Sequence, residues 1–134
     1  MGKPAAKQND QIAAVDIHIV LVPAPPGSPV PTPLPHPFNG ILNASLSQNV
    51  KVMGLPAATV GSMADNTPSH IPTPPGTVFQ IPPTNKGQVM MGSMTVMINH
   101  KPAARAGDQA QTCADPAPNM SGTVIASGNV LIGG

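Results

Sequence analysis

Tryptophan, tyrosine and glutamate are absent from this chain, and phenylalanine occurs twice, at Phe38 and Phe79. Without large aromatics, 134 residues have little apolar area to set against the entropy of ordering the backbone. Folds so poorly supplied take a staple: disulfides, a metal ion or a partner chain. The single cysteine, Cys113, excludes an internal disulfide and leaves a metal or a partner. Charge is scarce as well, with six Lys and Arg, five acidic residues (all Asp) and a net charge of +1. No basic cluster interleaved with aromatics offers a footprint for nucleic acid. No apolar run reaches membrane-spanning length. The run at residues 12–22 is interrupted by Asp16 and His18, which excludes a signal peptide and points to synthesis in the cytoplasm.

Proline (19) and glycine (13) are plentiful. Proline breaks most helical windows, so little or no helix is expected. Such a proline and glycine content approaches that of disordered chains. Yet 40% of the residues are apolar and net charge is near zero, which favours an ordered, loop-rich β protein. Length gives one domain, residues 1–134.

The tripeptide Pro-Ala-Ala occurs three times, starting at Pro4, Pro56 and Pro102. Reuse at this spacing signals one supersecondary unit repeated. A short alternating stretch precedes the second copy (NVKVMG, 49–54) and the third (TVMINH, 95–100), and another closes the chain (NVLIGG, 129–134). They align Val50 with Val96 and Val130, Lys51 with Met97 and Leu131, and Val52 with Ile98 and Ile132. Period 2 puts the first and third sets on one buried face and the middle set outside. The first copy has no strand before it and the last strand no copy after it. Joined, they complete a third unit: three strand-turn units in a ring, with the C-terminal strand beside the N-terminal turn. Closure removes exposed strand edges. The arms between units are proline-rich, with eight prolines in residues 23–37 and six in residues 68–83. They are read as ordered loops crossing the body rather than flexible polyproline linkers.

Each arm carries a histidine in register. His18 lies 14 positions after Pro4 and His70 lies 14 after Pro56, each followed by Ile. Cys113 lies 11 positions after Pro102. Equivalent offsets in a three-fold arrangement converge near the axis, giving two imidazoles and a thiolate suited to zinc. His36 or His100 could supply a fourth ligand. His100 aligns with Gly2 and Gly54, a turn position, so His36 is preferred. The competing reading is four scattered histidines and an inert buried thiol. A catalytic zinc would want a base, and Asp16 and Asp115 read better as supporting or turn residues. A Cys–His nucleophile pair lacks an evident oxyanion hole. Met90, Met91, Met94 and Met97 read as adaptable packing or a contact surface.

The segment TVMINHKPAARAGD, with Pro-Ala-Ala-Arg at 102–105, resembles the defining motif of the PAAR-repeat proteins. Pro-Ala-Ala-Lys and Pro-Ala-Ala-Thr are degenerate copies, and VDIHIVLVP, PTPLPHPF, SHIP and TCADP resemble the long-loop variety found in phage-tail-like injection gene clusters. The resemblance implies a small all-β cone with three-fold pseudo-symmetry. It implies one structural zinc ion near the point on His18, His36, His70 and Cys113. It also implies a non-enzymatic tip that caps and sharpens a trimeric spike of the valine-glycine-repeat type. One chain would sit on each trimer, helping to puncture a membrane and to carry an effector or adaptor, in a type VI system or an extracellular particle. No effector extension is expected after Gly134. A small zinc enzyme is the alternative from another class.

Overall fold

A computed structural model describes residues 2–134. Among them there is no helix, and thirteen strands account for the regular structure. In chain order these are β1 (Lys3–Pro4), β2 (Gln11–Val22), β3 (Val30–Ala44), β4 (Lys51–Val52), β5 (Leu55–Pro56), β6 (Met63–Asn66), β7 (Val78–Phe79), β8 (Lys86–Val89), β9 (Met97–Ile98), β10 (Lys101–Pro102), β11 (Gln109–Thr112), β12 (Asn119–Ile125) and β13 (Leu131–Ile132).

The repeat builds one end of the molecule. Three two-stranded antiparallel pairs, β4–β5, β9–β10 and β13–β1, occupy equivalent places. In the third, Lys3 pairs with Ile132 and Pro4 with Leu131, so the C-terminal strand completes the N-terminal unit. Val52, Ile98 and Ile132 are buried in one cluster with Ala5, Ala57 and Ala103, and Lys51, Met97 and Leu131 face outward. Val50 and Val96 pack against that cluster, whereas Val130 is 39% exposed. Gly128 stands where the other units have Gln48 and Met94.

The second alanine of each repeat shows why the motif is so small. The Ala6 N–H donates to the Ala104 carbonyl (2.9 Å), Ala104 to Ala58 (3.0 Å) and Ala58 back to Ala6 (3.0 Å). Three main-chain bonds thus form a closed cycle around the pseudo-axis. All three alanines are buried, and a larger side chain would meet its two counterparts there. Six positions after each proline, a side chain caps the turn: the N–H groups of Lys7, Thr59 and Arg105 donate to Asp10 Oδ2 (3.0 Å), Ser62 Oγ (2.9 Å) and Asp108 Oδ2 (2.7 Å).

Each turn then feeds one antiparallel pair: β2–β3, β6–β8 or β11–β12. The six strands close, since β12 also pairs with β2, β3 with β6, and β8 with β11. Each contributes one inward residue to a layer of Ile12, Leu42, Ala64, Val89, Ala110 and Val124, all essentially inaccessible. The next layer is filled by Phe38, and Gly40 and Gly87 make room for it. A Cβ on Gly40 would lie 2.6 Å from the Phe38 ring. β2 and β3 outrun the other strands, and β7 joins β2 at Val20 and Leu21, so the body narrows to this pair.

Much of the first proline-rich arm is therefore strand rather than loop. Pro31, Pro33, Pro35 and Pro37 occupy alternate positions of β3. Asn39, in phase with them, bonds away from β2, its N–H donating to Asn66 Oδ1 and its carbonyl accepting from Thr67. The proline nitrogens thus lie on the outer edge, where they remove no bond to β2 and deny a donor to an intruding strand. Replacing Pro31 and Pro33 together by Thr should leave the chain folded and promote self-association, read as a larger species by size-exclusion chromatography. An unchanged elution position at high concentration would contradict it.

The second arm remains a loop around β7. His100 lies at the β9–β10 turn, exposed, with φ of 66°, next to Asn99 at 52°. Met53 and Gly54, the equivalent pair, also have positive φ, as a two-residue type I′ turn requires. His100→Gly should therefore be neutral or stabilising by up to about 1 kcal/mol in chemical denaturation. A clear loss of stability would contradict that reading.

Candidate metal centre

Beyond Phe38, the inward positions of the long strands turn polar. Asp16 and His18 alternate with exposed Val15 and Ile17 on β2, so both point into the ring. His36 faces Asp16 across the β2–β3 register. Cys113 and Thr112 arrive from the end of β11, and His70 from the second arm. The two phenylalanines bracket the group: Phe38 lies 6.1 Å from His70, and Phe79 lies 5.3 Å from His36 and 5.7 Å from His18, between ring centroids.

The 14-residue offsets converge as expected. One donor atom each from Asp16, His18, His70 and Cys113 lies within 4.8 Å of all the others. Cys113 Sγ is 3.5 Å from His18 Nε2 and 3.3 Å from Asp16 Oδ2. His70 Nε2 is 3.0 Å from Asp16 Oδ2, and His18 Nε2 is 3.9 Å from it. Thr112 donates its hydroxyl to Asp16 Oδ1. His36 stands beside the group, 5.4 Å from the His18 ring and 5.6 Å from the His70 ring. Its Nδ1 lies 2.8 Å from the Leu34 carbonyl, and its Nε2 accepts from the Thr73 N–H at 3.1 Å. His100 lies outside the group, in its turn.

The donor chemistry fits a divalent cation. Tetrahedral zinc with bonds of about 2.0–2.3 Å separates its ligand atoms by roughly 3.3–3.7 Å, close to the spacings here. Asp16 is fully buried, and no Lys or Arg pairs with it among the described residues. A buried carboxylate without a cation is costly. Burial holds His18 and His36 below the ordinary imidazole pKa, so both are neutral at pH 7. Neutral imidazole is the metal-binding form. Burial, then the Asp16 charge, pushes the Cys113 thiol up to about 11. A cation reverses that pressure, because a coordinated thiol loses its proton. His18 Nδ1 has no hydrogen-bond partner, and Asp115 Oδ2 lies 3.5 Å from it. Asp115 in turn accepts from the Ile19 N–H (2.9 Å), fixing the start of the loop after Cys113. A cleft of about 380 Å³ is lined by His36 and His70 between Pro68 and Pro74.

Period-2 alternation with His18 carried a signal for Asp16 in the cluster. Nothing local marked Thr112, because its role depends on where β11 lands.

No curated protein matches the chain. A family model described as the PAAR motif matches residues 80–134, the stretch that holds the third Pro-Ala-Ala turn, Cys113 and the closing strand. The two earlier units repeat that segment's turn geometry bond for bond, so the build of the matched PAAR-motif segment recurs at Pro4 and Pro56.

Proposed function

We propose that the protein is a structural spike tip of a bacterial contractile injection system, capping and sharpening a trimeric spike. The observation that carries the proposal is the closed ring of three Pro-Ala-Ala turns. One chain presents three equivalent hairpins, which suits the end of a three-fold partner and covers its open strand ends. The surface there offers apolar contacts, with Met53, Met97 and Leu131 each more than half exposed, beside the exposed Lys51 and His100. A patch of this kind marks a contact surface. At the opposite end, a zinc ion on His18, His70 and Cys113 would clip together three separate segments where the core is too small to hold them. Bound there, zinc supplies rigidity. On this reading the chain is made in the cytoplasm, mounted on the particle and delivered outside, touching the target membrane transiently. The long-loop motifs resemble those of phage-tail-like injection gene clusters, with a type VI system as the alternative, and either could carry cargo on this tip.

An enzymatic role has less support. Cys113 is buried, and its thiol is held protonated, the opposite of an activated nucleophile.

Docking should rest on main-chain bonds and apolar contact, and so survive high salt. We expect the chain to bind the trimeric spike of its own genome with similar affinity at low and high salt. Met97→Glu and Leu131→Glu should each weaken binding by about 30-fold or more. Val30→Glu, at the far end of β3, should not. Binding that fails at high salt, or that ignores both base substitutions, would contradict this surface.

A further inference from the structure

We propose that the narrow end of the molecule is a lipid-facing surface, which enters the acyl-chain region of a bilayer whatever the charge of its headgroups. This deepens the spike-tip reading by naming the surface that meets the target, and its test needs no spike.

The first ground is an apolar sheet face with nothing packed on it. Val15, Ile17, Ile19 and Leu21 of β2 stand opposite Pro37, Pro35, Pro33 and Pro31 of β3. Residues directly opposite each other share a face, and the alternate residues Asp16, His18 and His36 point inward. Val15, Ile17 and all four prolines are exposed, and no polar side chain interrupts the eight.

The second ground is that apolar exposure continues around this end. Ile71, 79% exposed, lies by the outer edge of β3, two residues before Thr73, whose hydroxyl donates to the Pro35 carbonyl at 2.8 Å. Val78 is half exposed on the opposite edge, where it pairs with Leu21, and half-exposed Val30 opens β3 at the far end. A site for one protein partner is a patch with a polar rim. Apolar side chains on a face and on both edges fit a surrounding medium instead.

The third ground is the removal of charge and of free donors from the same end. Residues 17–37 and 67–84, which build it, contain no Asp, Glu, Lys or Arg. Among the described residues, the exposed charged side chains, Lys3, Lys51, Lys86 and Lys101, lie on β1, β4, β8 and β10. With no cation at this end, nothing favours anionic headgroups over neutral ones. The alternate prolines leave no N–H on the outer edge of β3. The outer edge of β2 is already bonded: the Ile19 N–H donates to Asp115, and the Ile19 and Leu21 carbonyls accept from Gln80 and Thr77. Unmet backbone donors are what bar a strand edge from hydrocarbon. The paired stretch from Val15 to Val22 is about 25 Å long. That is shorter than a hydrocarbon core of about 30 Å, so the end enters without crossing.

The chain has no tryptophan, so one placed by substitution reports its own surroundings. Val30→Trp, Ile71→Trp and Val78→Trp, each in the full chain, should shift their emission to the blue on mixing with phosphatidylcholine vesicles. All three should be quenched by lipids brominated on the acyl chains, and Met97→Trp, at the base, should show neither change. Flotation of the unsubstituted chain with the same vesicles guards against variants that misfold, and it should persist at high salt. Val30→Glu combined with Val78→Glu should cut the floated fraction by about tenfold or more. Met97→Glu should leave it unchanged while weakening docking on the spike. A blue shift at fewer than all three positions would mean a one-sided partner and overturn the proposal. Binding to anionic vesicles alone, lost at high salt, would overturn it, as would a chain that ignores vesicles and forms a dimer that Ile17→Glu dissociates. Absence of vesicle binding with spike docking intact would overturn this surface and leave the spike-tip reading standing.

Discussion

Removal of residues 127–134 is expected to lower the melting temperature by about 15–20 °C, at roughly 3–5 °C per kcal/mol for a chain of this size. The deletion takes β13 from β1 and Ile132 from the apolar cluster with Ala5, Val52, Ala57, Ile98 and Ala103. Burial of Ile132 is worth about 2–3 kcal/mol. The Val130 carbonyl also goes, leaving the buried Ala5 N–H without its 2.9 Å bond. The Gly133 carbonyl accepts from Ser93 Oγ (2.6 Å) and Arg105 (3.3 Å), and the Ser127 carbonyl from Lys7 Nζ (3.0 Å). An unmet buried donor costs about 1–3 kcal/mol. The expected loss, about 5 kcal/mol, is a large part of the stability of an ordinary domain. Leu131→Ser serves as control: that side chain is 59% exposed and its loss should cost under about 0.5 kcal/mol. A truncated chain that melts within a few degrees of the full one would show that the ring does not depend on its closing strand.

Loss of the metal should be felt nearly as strongly. Cys113→Ala removes the one sulfur donor among the donor atoms clustered around Asp16. The variant is expected to bind no zinc at micromolar concentrations. Wild type held at a thousandfold excess over its dissociation constant should gain about 4 kcal/mol from the ion. Stripping zinc with a chelator should then lower its melting temperature by more than about 10 °C, and adding zinc back should restore it. Cys113→Ala should melt near the stripped wild type and respond to neither treatment. A wild-type protein whose melting is indifferent to chelator and to zinc would remove the metal clip from the account.

The repeat made the base legible. Three copies of Pro-Ala-Ala and three matched strands gave the hairpins, the closing strand, the outward set Lys51, Met97 and Leu131, and the His100 turn. Repetition reports main-chain geometry, and main-chain geometry is what the base is made of. The cycle through Ala6, Ala58 and Ala104 was hidden because alanine carries no chemistry of its own. Proline misled for the same physical reason that it usually informs: it removes a donor. In β3 the missing donors fall on the edge that has no strand to bond, so a segment that reads as loop is a fifteen-residue strand. At the candidate centre, equal offsets brought His18 and His70 together with Cys113. Offsets carry no information on tautomers, so the bonds that occupy both nitrogens of His36 were not visible.

The proposed docking on a trimeric spike carries a stoichiometry, and the mass of the complex tests it. The purified chain should be mixed in excess with the trimeric spike of its genome, separated from unbound chain, and weighed by native mass spectrometry. One chain on three spike subunits is the predicted composition, because the chain's pseudo-axis already uses all three equivalent positions. Three chains per trimer, or no complex at all, would contradict the account.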